Sequence, residues 1–411
     1  MFKKILKSIL ILIPVFLTAQ NDTNSPYSIF ALGVENKTAN GGFTGLGNTG
    51  IADNNPYQIN NYNSATLGNI RRKSFLFEIG ANGSSSIIKS NDEEARISNV
   101  NLSHIALAFP IKHNWGIGIG LTPQTKVGYD ISSDKTVEGS DETFTTFTSG
   151  LGGLNKLYLS SGVKLGKVVS VGFDFSYLFG SIDELTQFYS DVLVNYNKEN
   201  HYTGINLGGS FQYTFPDKKT SIGATVSLPT KLKGVQTFYT YKTSDLGTPV
   251  TIQDEEELDL EDTELPMSFG IGINSEIFKD FTASFDFRKT LWEESAEAID
   301  DEEFKNQSIY GFGVEFDPSV NNLKYWNKLK YRIGFNYNTG FLVLNNEQID
   351  SYFISAGIGL PINTAGTNSL NISYSYGQEG TTTNDLIQEN FHRLTLNLSF
   401  VGNWFKERKI F

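Results

Sequence analysis

The chain has 411 residues, no cysteine and a formal net charge of −12 at pH 7. Without cysteine it can form neither a disulfide nor a thiolate metal site. Its acidic balance excludes a nucleic-acid partner, because phosphate binding needs a basic surface. The length would allow two or three ordinary domains, but 39 Gly, 31 Phe and 19 Tyr favour a single domain of an unusual kind.

The first residues have the pattern of a secretory signal peptide. Two lysines precede an almost wholly apolar run from Ile5 to Leu17, and the small residue Ala19 follows. A basic start, a short apolar run and a small residue before the cut are the features of such peptides. The run is also shorter than the ~20 residues that a membrane-spanning helix needs. We predict a signal peptide over residues 1–19.

The next segment, 20–72, shows no alternation of apolar and polar residues. It is rich in Asn and Gly, for example over 45–50 and 60–67. It is not a phosphate loop, because no Lys-Ser/Thr follows and no helix pattern opens. A segment this long without regular structure is usually functional or disordered, and its Phe, Tyr, Ile and Leu favour packing. We predict an N-terminal hatch that fills the lumen of a barrel.

Residues 73–411 predict that barrel, an all-β, antiparallel transmembrane barrel of about fourteen strands. In residues 393–400 every second side chain is apolar and every intervening one is polar. The same alternation recurs along the chain in segments of about ten residues with aromatic ends, as in barrels that stand in lipid. The predicted strands are 73–84, 97–110, 114–128, 151–166, 168–180, 202–215, 219–229, 266–277, 281–292, 307–316, 329–340, 351–361, 369–378 and 391–403.

The connections between these strands support the same prediction. The odd-numbered ones are long and the even-numbered ones are mostly short, with 317–328 as an exception. Long loops on one side and tight turns on the other are typical of outer-membrane barrels. We therefore predict an outer-membrane location with both termini in the periplasm. An extra strand pair near 236–241, inside the long connection 230–265, would widen the range to between twelve and sixteen strands.

Two stretches of the sequence resemble the FadL-type transporters of long-chain fatty acids and hydrocarbons. Asn63, Ser64 and Ala65 are similar to the Asn-Pro-Ala motif of that family's hatch, with Ser64 in the place of the proline. The third strand ends its run at Pro123, and proline marks a break in strand pairing. In the family a kinked third strand opens the wall sideways. The resemblance implies a hatch at residues 63–65 and a lateral gate at Pro123.

The resemblance implies two functions that the sequence does not separate. The first is passive uptake of small hydrophobic molecules through the outer membrane, with lateral release through the wall. The second is the role of the PorV-type branch, a non-transporting barrel subunit of an outer-membrane secretion or assembly complex. A connected apolar tunnel favours transport, whereas a sealed lumen packed with paired charges favours the subunit. The expected partners are outer-membrane lipids and a hydrophobic ligand, or other envelope proteins.

The sequence shows little sign of other chemistry. Four histidines lack metal-ligand spacing, no Gly-x-Ser-x-Gly motif is present, and the acidic runs 254–264 and 293–303 lack the glycine of an EF-hand. We predict no enzyme, no cofactor and no metal, with the acidic runs in solvated external loops.

Charged residues on the lumen side of the strands have two interpretations. Alternation points them inward, where each needs a partner or water. They could form ion pairs that hold the hatch, or an arginine could bind a ligand carboxylate in a bidentate manner. The candidates for that ligand contact are Arg288 and Arg332. The inward-pointing set is Glu78, Asp286, Arg288, Glu315, Arg332 and Arg393.

Overall fold

The computed structural model describes most of the chain beyond residue 24. The described residues are 25–36, 39–91, 93–136, 143–189, 193–243, 249–294, 303–318, 325–363 and 366–403. The predicted signal peptide, 1–19, lies outside them. No helix among the described residues is both long enough and apolar enough to cross a membrane.

The described residues are mostly β-strand, with a few short 3-10 turns between strands. The 3-10 turns are Pro26–Ile29, Phe43–Leu46, Ser64–Asn69, Trp292–Glu294, Tyr325–Lys328 and Thr383–Asp385. The strands are β1 (Val34–Glu35), β2 (Ser74–Lys89), β3 (Glu94–Lys112), β4 (Trp115–Pro123), β5 (Thr125–Thr136), β6 (Thr143–Leu165), β7 (Val169–Tyr189), β8 (Leu193–Thr214), β9 (Thr220–Ser227), β10 (Thr230–Thr243), β11 (Pro249–Leu265), β12 (Ser268–Phe278), β13 (Phe281–Thr290), β14 (Glu303–Phe304), β15 (Gln307–Phe316), β16 (Lys330–Asn338), β17 (Leu342–Leu344), β18 (Glu347–Gln348), β19 (Ser351–Pro361), β20 (Ser369–Glu379) and β21 (Gln388–Asn403).

These strands form the closed antiparallel barrel of fourteen strands that the alternation predicted. The barrel closes where β2 pairs with β21 over its whole length, Ser74 opposite Asn403 and Lys89 opposite Gln388. Three barrel strands are each broken into two segments, namely β4 with β5, β9 with β10, and β11 with β12. The last two breaks fall at Pro229 and Pro266, where a residue without an N–H interrupts the ladder.

Side-chain exposure confirms the predicted alternation of the two faces. On β13, Phe285 is 43% exposed while its neighbour Asp286 is 1% exposed, and on β16 Ile333 is 63% exposed while Arg332 is 8% exposed. Most outward side chains in the central band of the wall are apolar or aromatic. Because a polar lumen and an apolar outer band are what a bilayer requires, the barrel spans a membrane.

The barrel has two unlike ends. At the turn end, short connections such as 113–114, 166–168 and 279–280 join the strands, and β2 begins and β21 finishes there. At the loop end, the strands on one flank continue well past the membrane. Two small elements, β14 and the β17–β18 hairpin, pair into a separate sheet among the loops.

The strand ends at the loop end were predicted too short. The predicted connection 230–265 consists largely of β10 and β11, which pair with each other and extend the seventh and eighth barrel strands. The strand near 236–241 is therefore real, but it is part of a barrel strand and does not add to the number of strands. Beyond the bilayer both faces meet water or loops, so the apolar and polar alternation that marks a lipid-facing strand is lost.

Candidate functional site

The described part of the N-terminal segment, residues 25–36 and 39–72, contacts inward-facing residues of the wall. Its apolar side chains Ile59, Leu67 and Ile70 pack with Leu76 of β2 and with Ala106 and Ala108 of β3 in one buried cluster. Nearer the loop end, Leu32 packs with wall residues of β6, β7, β8 and β10. The segment therefore spans the lumen from the turn end to the loop end.

Glycines on the wall allow the backbone of this segment to come close. A side chain at Gly162 would overlap the carbonyl oxygen of Ser64, and one at Gly172 would overlap the amide nitrogen of Ala65. Gly334, on the other side of the barrel, faces the amide of Gly47 in the same way. The glycines of the wall thus mark where the segment lies against it.

Ser64 and Ala65 are bound to the wall by hydrogen bonds. The Ser64 hydroxyl donates to Oδ2 of Asp174 on β7 at 2.7 Å and lies 2.8 Å from the Ser210 hydroxyl on β8. The Ala65 amide donates to the same Ser210 oxygen at 3.0 Å. A proline at position 64 would have no hydroxyl for these contacts. The Ser64 departure from the FadL-type motif therefore adds a polar link to the wall.

Asn63 is fully buried and uses both ends of its amide. Its Nδ2 donates to the Ile51 carbonyl at 2.7 Å, to Oε1 of Gln212 at 2.9 Å and to the Phe211 carbonyl at 3.0 Å. Its Oδ1 accepts from the Ala65 amide at 3.1 Å and caps the 3-10 turn that follows. One side chain therefore joins two parts of the segment to β8.

Two buried carboxylates of the wall accept hydrogen bonds from backbone amides of the segment. Asp286 accepts from Gly50 at 2.7 Å and from Ile51 at 3.0 Å. Glu78, on β2, accepts from Ile59 at 2.9 Å. Together with the contact at Asp174, these links lie on three well-separated strands and hold the segment from different sides of the barrel.

The two candidate arginines also have protein partners. Arg288 donates to the backbone carbonyl of Asn48 at 3.0 Å, and its guanidinium lies 4.9 Å from the centre of the Tyr62 ring. Arg332 donates to Glu315 at 2.6 Å and to Asn371 at 2.8 Å. Arg332 and Glu315 thus form one ion pair within the wall, and Arg288 contacts the segment through a backbone carbonyl and a ring. Ion pairs that hold the segment, like a ligand contact at either arginine, stay a prediction.

Pro123 stands where the third barrel strand breaks. β4 ends there, and β5 resumes at Thr125. Below the break β3 pairs with β4, but above it β3 pairs with β2 alone, while β5 pairs with β6 and with β1. Because β6 occupies one edge of β5, β1 takes the edge that faces β3, with Val34 opposite Lys126. The seam in the wall is thus bordered from inside by the N-terminal segment.

The spaces around residues 32–36 are small and are lined by both polar and apolar residues. A cavity of about 190 Å³ lies between Leu32, Gly33 and wall residues that include Lys156, Gln124 and Asn206. A second, of about 60 Å³, lies between this part of the segment and β2, β3 and β21. Pockets that hold a drug-sized ligand measure roughly 300–1,000 Å³ and are mainly apolar. Both spaces are smaller than that range.

A larger cavity, of about 620 Å³, opens at the turn end beneath residues 53–58 of the segment. Its walls carry charges of both signs, among them Asp53, Lys219, Glu276 and Lys330. Asp53 is partly buried, and its removal from water, with Glu315 nearby, raises its pKa to about 6. This space is a charged vestibule below the segment, unlike the connected apolar tunnel that transport would favour.

The histidines lie apart from one another. His104 is buried on the lumen side, with Nε2 at 3.0 Å from Nδ2 of Asn397 and 3.9 Å from Oε2 of Glu78. His392 faces outward beside Tyr374. Among the described residues, no three His, Asp or Glu side chains are grouped as metal ligands would be.

Several wall residues in this site were missed by the sequence prediction, namely Asp174, Ser210 and Gln212. Asp174 and Gln212 are polar residues between apolar neighbours in predicted strands. They could have been found by looking for a polar residue between apolar neighbours, beside inward-facing glycines of the next strand. Where a second backbone approaches the wall, the glycines leave room for it and the polar residue binds it.

Comparison with known proteins identifies the family. The BamG family model matches residues 1–411. The chain belongs to the BamG family. No curated relative matches this BamG-family barrel.

Solved structures share its fold and confirm the FadL-type resemblance. The Pseudomonas putida toluene transporter TodX superposes with a TM-score of 0.64 at 14% identity, covering 91% of this chain and 100% of that one. The Ralstonia pickettii toluene transporter TbuX gives 0.61 at 14% identity over 89% and 98%. A Pseudomonas aeruginosa FadL homologue gives 0.58 at 13% identity over 89% and 98%. At such identities the likeness concerns the fold.

Proposed function

We propose that this chain is a closed barrel that acts as a non-transporting subunit of an outer-membrane secretion or assembly complex. The N-terminal segment is its hatch and stays in place, while the outer wall and the loop-end strands bind other envelope proteins. The turn end, where β2 begins and β21 finishes, faces the periplasm. Three features of the site support the proposal.

The observation that carries the proposal is the way the hatch is held. Glu78, Asp174 and Asp286 lie on β2, β7 and β13, and each accepts a hydrogen bond from the hatch. Each is a buried or half-buried carboxylate, and leaving such a group without its donor costs more than the bond contributes when formed. Opening the lumen would break all of these contacts, so the closed form is strongly preferred.

Two further features agree with a closed barrel. The seam beside Pro123, the predicted lateral gate, is lined from inside by Val34, Glu35 and Asn36, and Asn36 donates to the Pro123 carbonyl at 3.0 Å. The cavities around these residues measure only about 190 and 60 Å³. A hydrophobic molecule would have to displace residues 34–36 to reach the membrane.

The second candidate is passive uptake of small hydrophobic molecules. One observation favours it: above Pro123, β3 and β5 are not paired, so the wall has a built-in seam. In this mechanism, a ligand enters from the loop end, moves residues 34–36 aside and leaves through the seam. The similar structures include two toluene transporters and a monoaromatic hydrocarbon channel, which gives the ligand class to test.

The absence of native cysteine allows a direct test with an engineered disulfide. Val34 and Lys126 are paired across β1 and β5, and the separation of paired residues suits a disulfide. In a Val34→Cys/Lys126→Cys variant, oxidation locks the hatch strand over the seam and reduction frees it. Val34→Cys alone is the matched control. The readouts are the proteins that co-purify after gentle solubilisation and the uptake of radiolabelled toluene and oleate by cells.

The two functions predict opposite results. A closed subunit gives a stoichiometric complex with other envelope proteins from both oxidised and reduced cells, with no uptake that depends on the disulfide. A channel gives uptake in reduced cells that stops on oxidation. A lone barrel that carries fatty acid or hydrocarbon, with no protein partner, would refute the proposed subunit role.

A further inference from the structure

A cavity lies at the turn end of β2 and β3, apart from the N-terminal segment and its contacts. It measures about 730 Å³ and is lined by Arg72, Lys73, Ser74, Phe109, Pro110, Ile111, Lys112 and His113. The cavity thus combines two surfaces, a cationic one from the chain on either side of the strand ends and an apolar one from the last residues of β3. It lies on the opposite side of the wall from the hatch contacts of Glu78.

The cationic side chains of this cavity, Arg72, Lys73 and Lys112, are exposed. Among the described residues, no carboxylate forms an ion pair with Arg72, Lys73 or Lys112. Among the described residues of the turn end, Lys219 lies 3.4 Å from Glu276 and Lys330 lies 2.7 Å from Asp317. Other turn-end lysines have no ion pair to a described residue but lie outside the cavity, namely Lys164, Lys167 and Lys279. Three unpaired cations around one cavity produce a local positive potential that attracts an anion.

The apolar side of the cavity adjoins the membrane. Phe109 and Ile111 alternate with inward residues of β3 and face outward, as do Phe75 on β2 and Trp115 on β4. The apolar band of the barrel therefore continues into the cavity, and the cations stand at its edge. An occupant must offer a negative group to the cations and a hydrocarbon part to Phe109 and Ile111.

We propose that this cavity binds an anionic phospholipid from the leaflet at the turn end of the barrel. The phosphate lies among Arg72, Lys73 and Lys112, and an acyl chain lies along Phe109 and Ile111. Basic side chains at a membrane surface attract anionic headgroups, and the cavity has the size of a small-molecule site. An acidic protein would use the cations but would leave the apolar side in lipid, so the phospholipid agrees better with the geometry.

Native mass spectrometry of the full-length protein in detergent tests this proposal. The probes are phosphatidylglycerol and phosphatidylcholine with identical acyl chains, titrated onto the delipidated protein. The test variant is Arg72→Gln/Lys73→Gln/Lys112→Gln. The matched control is Lys164→Gln/Lys167→Gln/Lys279→Gln, which removes the same charge from turn-end residues outside the cavity. Heat-dependent migration on gels shows that each variant is folded.

We expect the wild type to retain one phosphatidylglycerol in preference to phosphatidylcholine. The test variant should lose that preference by roughly tenfold or more, since each cation near the surface contributes about fivefold, and the control should keep it. Equal binding of the two lipids, or an equal loss in both variants, would overturn the proposal. So would an acidic envelope protein that co-purifies with the wild type, excludes the lipid and is lost from the test variant.

Discussion

Asp286 on the inner face of β13 accepts a hydrogen bond of 2.7 Å from the backbone amide of Gly50. The next amide, that of Ile51, donates to the same oxygen at 3.0 Å. A single wall carboxylate therefore binds two consecutive amides of the N-terminal segment, across more than two hundred residues of sequence. Substitution of a single wall side chain can therefore test how firmly the segment is held.

Asp286→Ala should loosen the segment around residues 48–52. The substitution leaves two buried amides without an acceptor, which costs roughly 2–4 kcal/mol. We expect faster hydrogen exchange of these amides and a lower urea midpoint for unfolding. Glu255→Ala, on the exposed strand β11, is the control. Unchanged exchange at residues 48–52 would show that other contacts hold the segment there.

Gly172→Ala should disturb the contact between the segment and β7. A Cβ at this position would overlap the Ala65 amide, and overpacking of this kind costs about 1–3 kcal/mol or more. Gly209→Ala is the matched control, because its Cβ would have Val226 as its nearest contact, at 3.6 Å. We expect protease cleavage within residues 60–70 in the first variant only. Equal resistance of the two variants would contradict the close approach.

Asn63→Asp should destabilise the barrel far more than Asn61→Asp. The amide nitrogen of Asn63 donates to three oxygens, and a carboxylate there would place negative charge against all of them. Asn61 is exposed and two residues away, so the same change should have an effect within about 0.5 kcal/mol. Thermal unfolding of both variants in detergent measures the difference. Similar melting temperatures would argue against the described role of Asn63.

The free energy of unfolding should decrease as the pH rises from about 4 to about 6, because of Asp53. Its pKa is raised to about 6 in the folded protein by burial and by Glu315, so the folded state binds more protons than the unfolded state in this range. The free energy of unfolding therefore decreases as the pH rises. The two-unit shift corresponds to at most about 3 kcal/mol.

Asp53→Asn removes this titration and provides the measurement. The variant should match the wild type below about pH 4 and be more stable above about pH 6, with the gap opening between the two values. Equilibrium unfolding in urea at a series of pH values gives the difference curve. A gap that is constant from pH 4 to pH 7 would mean that Asp53 is not the titrating group.

The part of the fold that stands in lipid could be read from the sequence. Strands such as β13 and β16 place Phe285 and Ile333 in the membrane and Asp286 and Arg332 in the lumen, and this alternation is directly visible. The registers and the breaks were less visible. At Ser103 and His104 a bulge changes the phase of β3, so counting by twos from one end assigns the wrong face beyond it.

The candidate site was predictable only in outline. Asn63, Ser64 and Ala65 were found through a family motif, but their partners Asp174, Ser210 and Gln212 lie more than a hundred residues away. Which strand faces which part of the segment depends on how the segment folds inside the barrel, and the pattern of one strand does not contain that information. The role of β1 was also invisible, because two residues show no periodicity.

Because the barrel strands differ in length, they extend to different heights above the membrane on the two flanks of the barrel. β6, β7 and β8 have 23, 21 and 22 residues, whereas β13, β15 and β16 have 10, 10 and 9. About ten residues suffice to cross a bilayer, so the long strands rise a further roughly 25 Å above it on one flank. On this flank they form a hydrogen-bonded sheet that extends beyond the membrane beside the mouth of the barrel. On the opposite flank the strands end near the bilayer, and the small sheet of β14, β17 and β18 lies at the mouth instead.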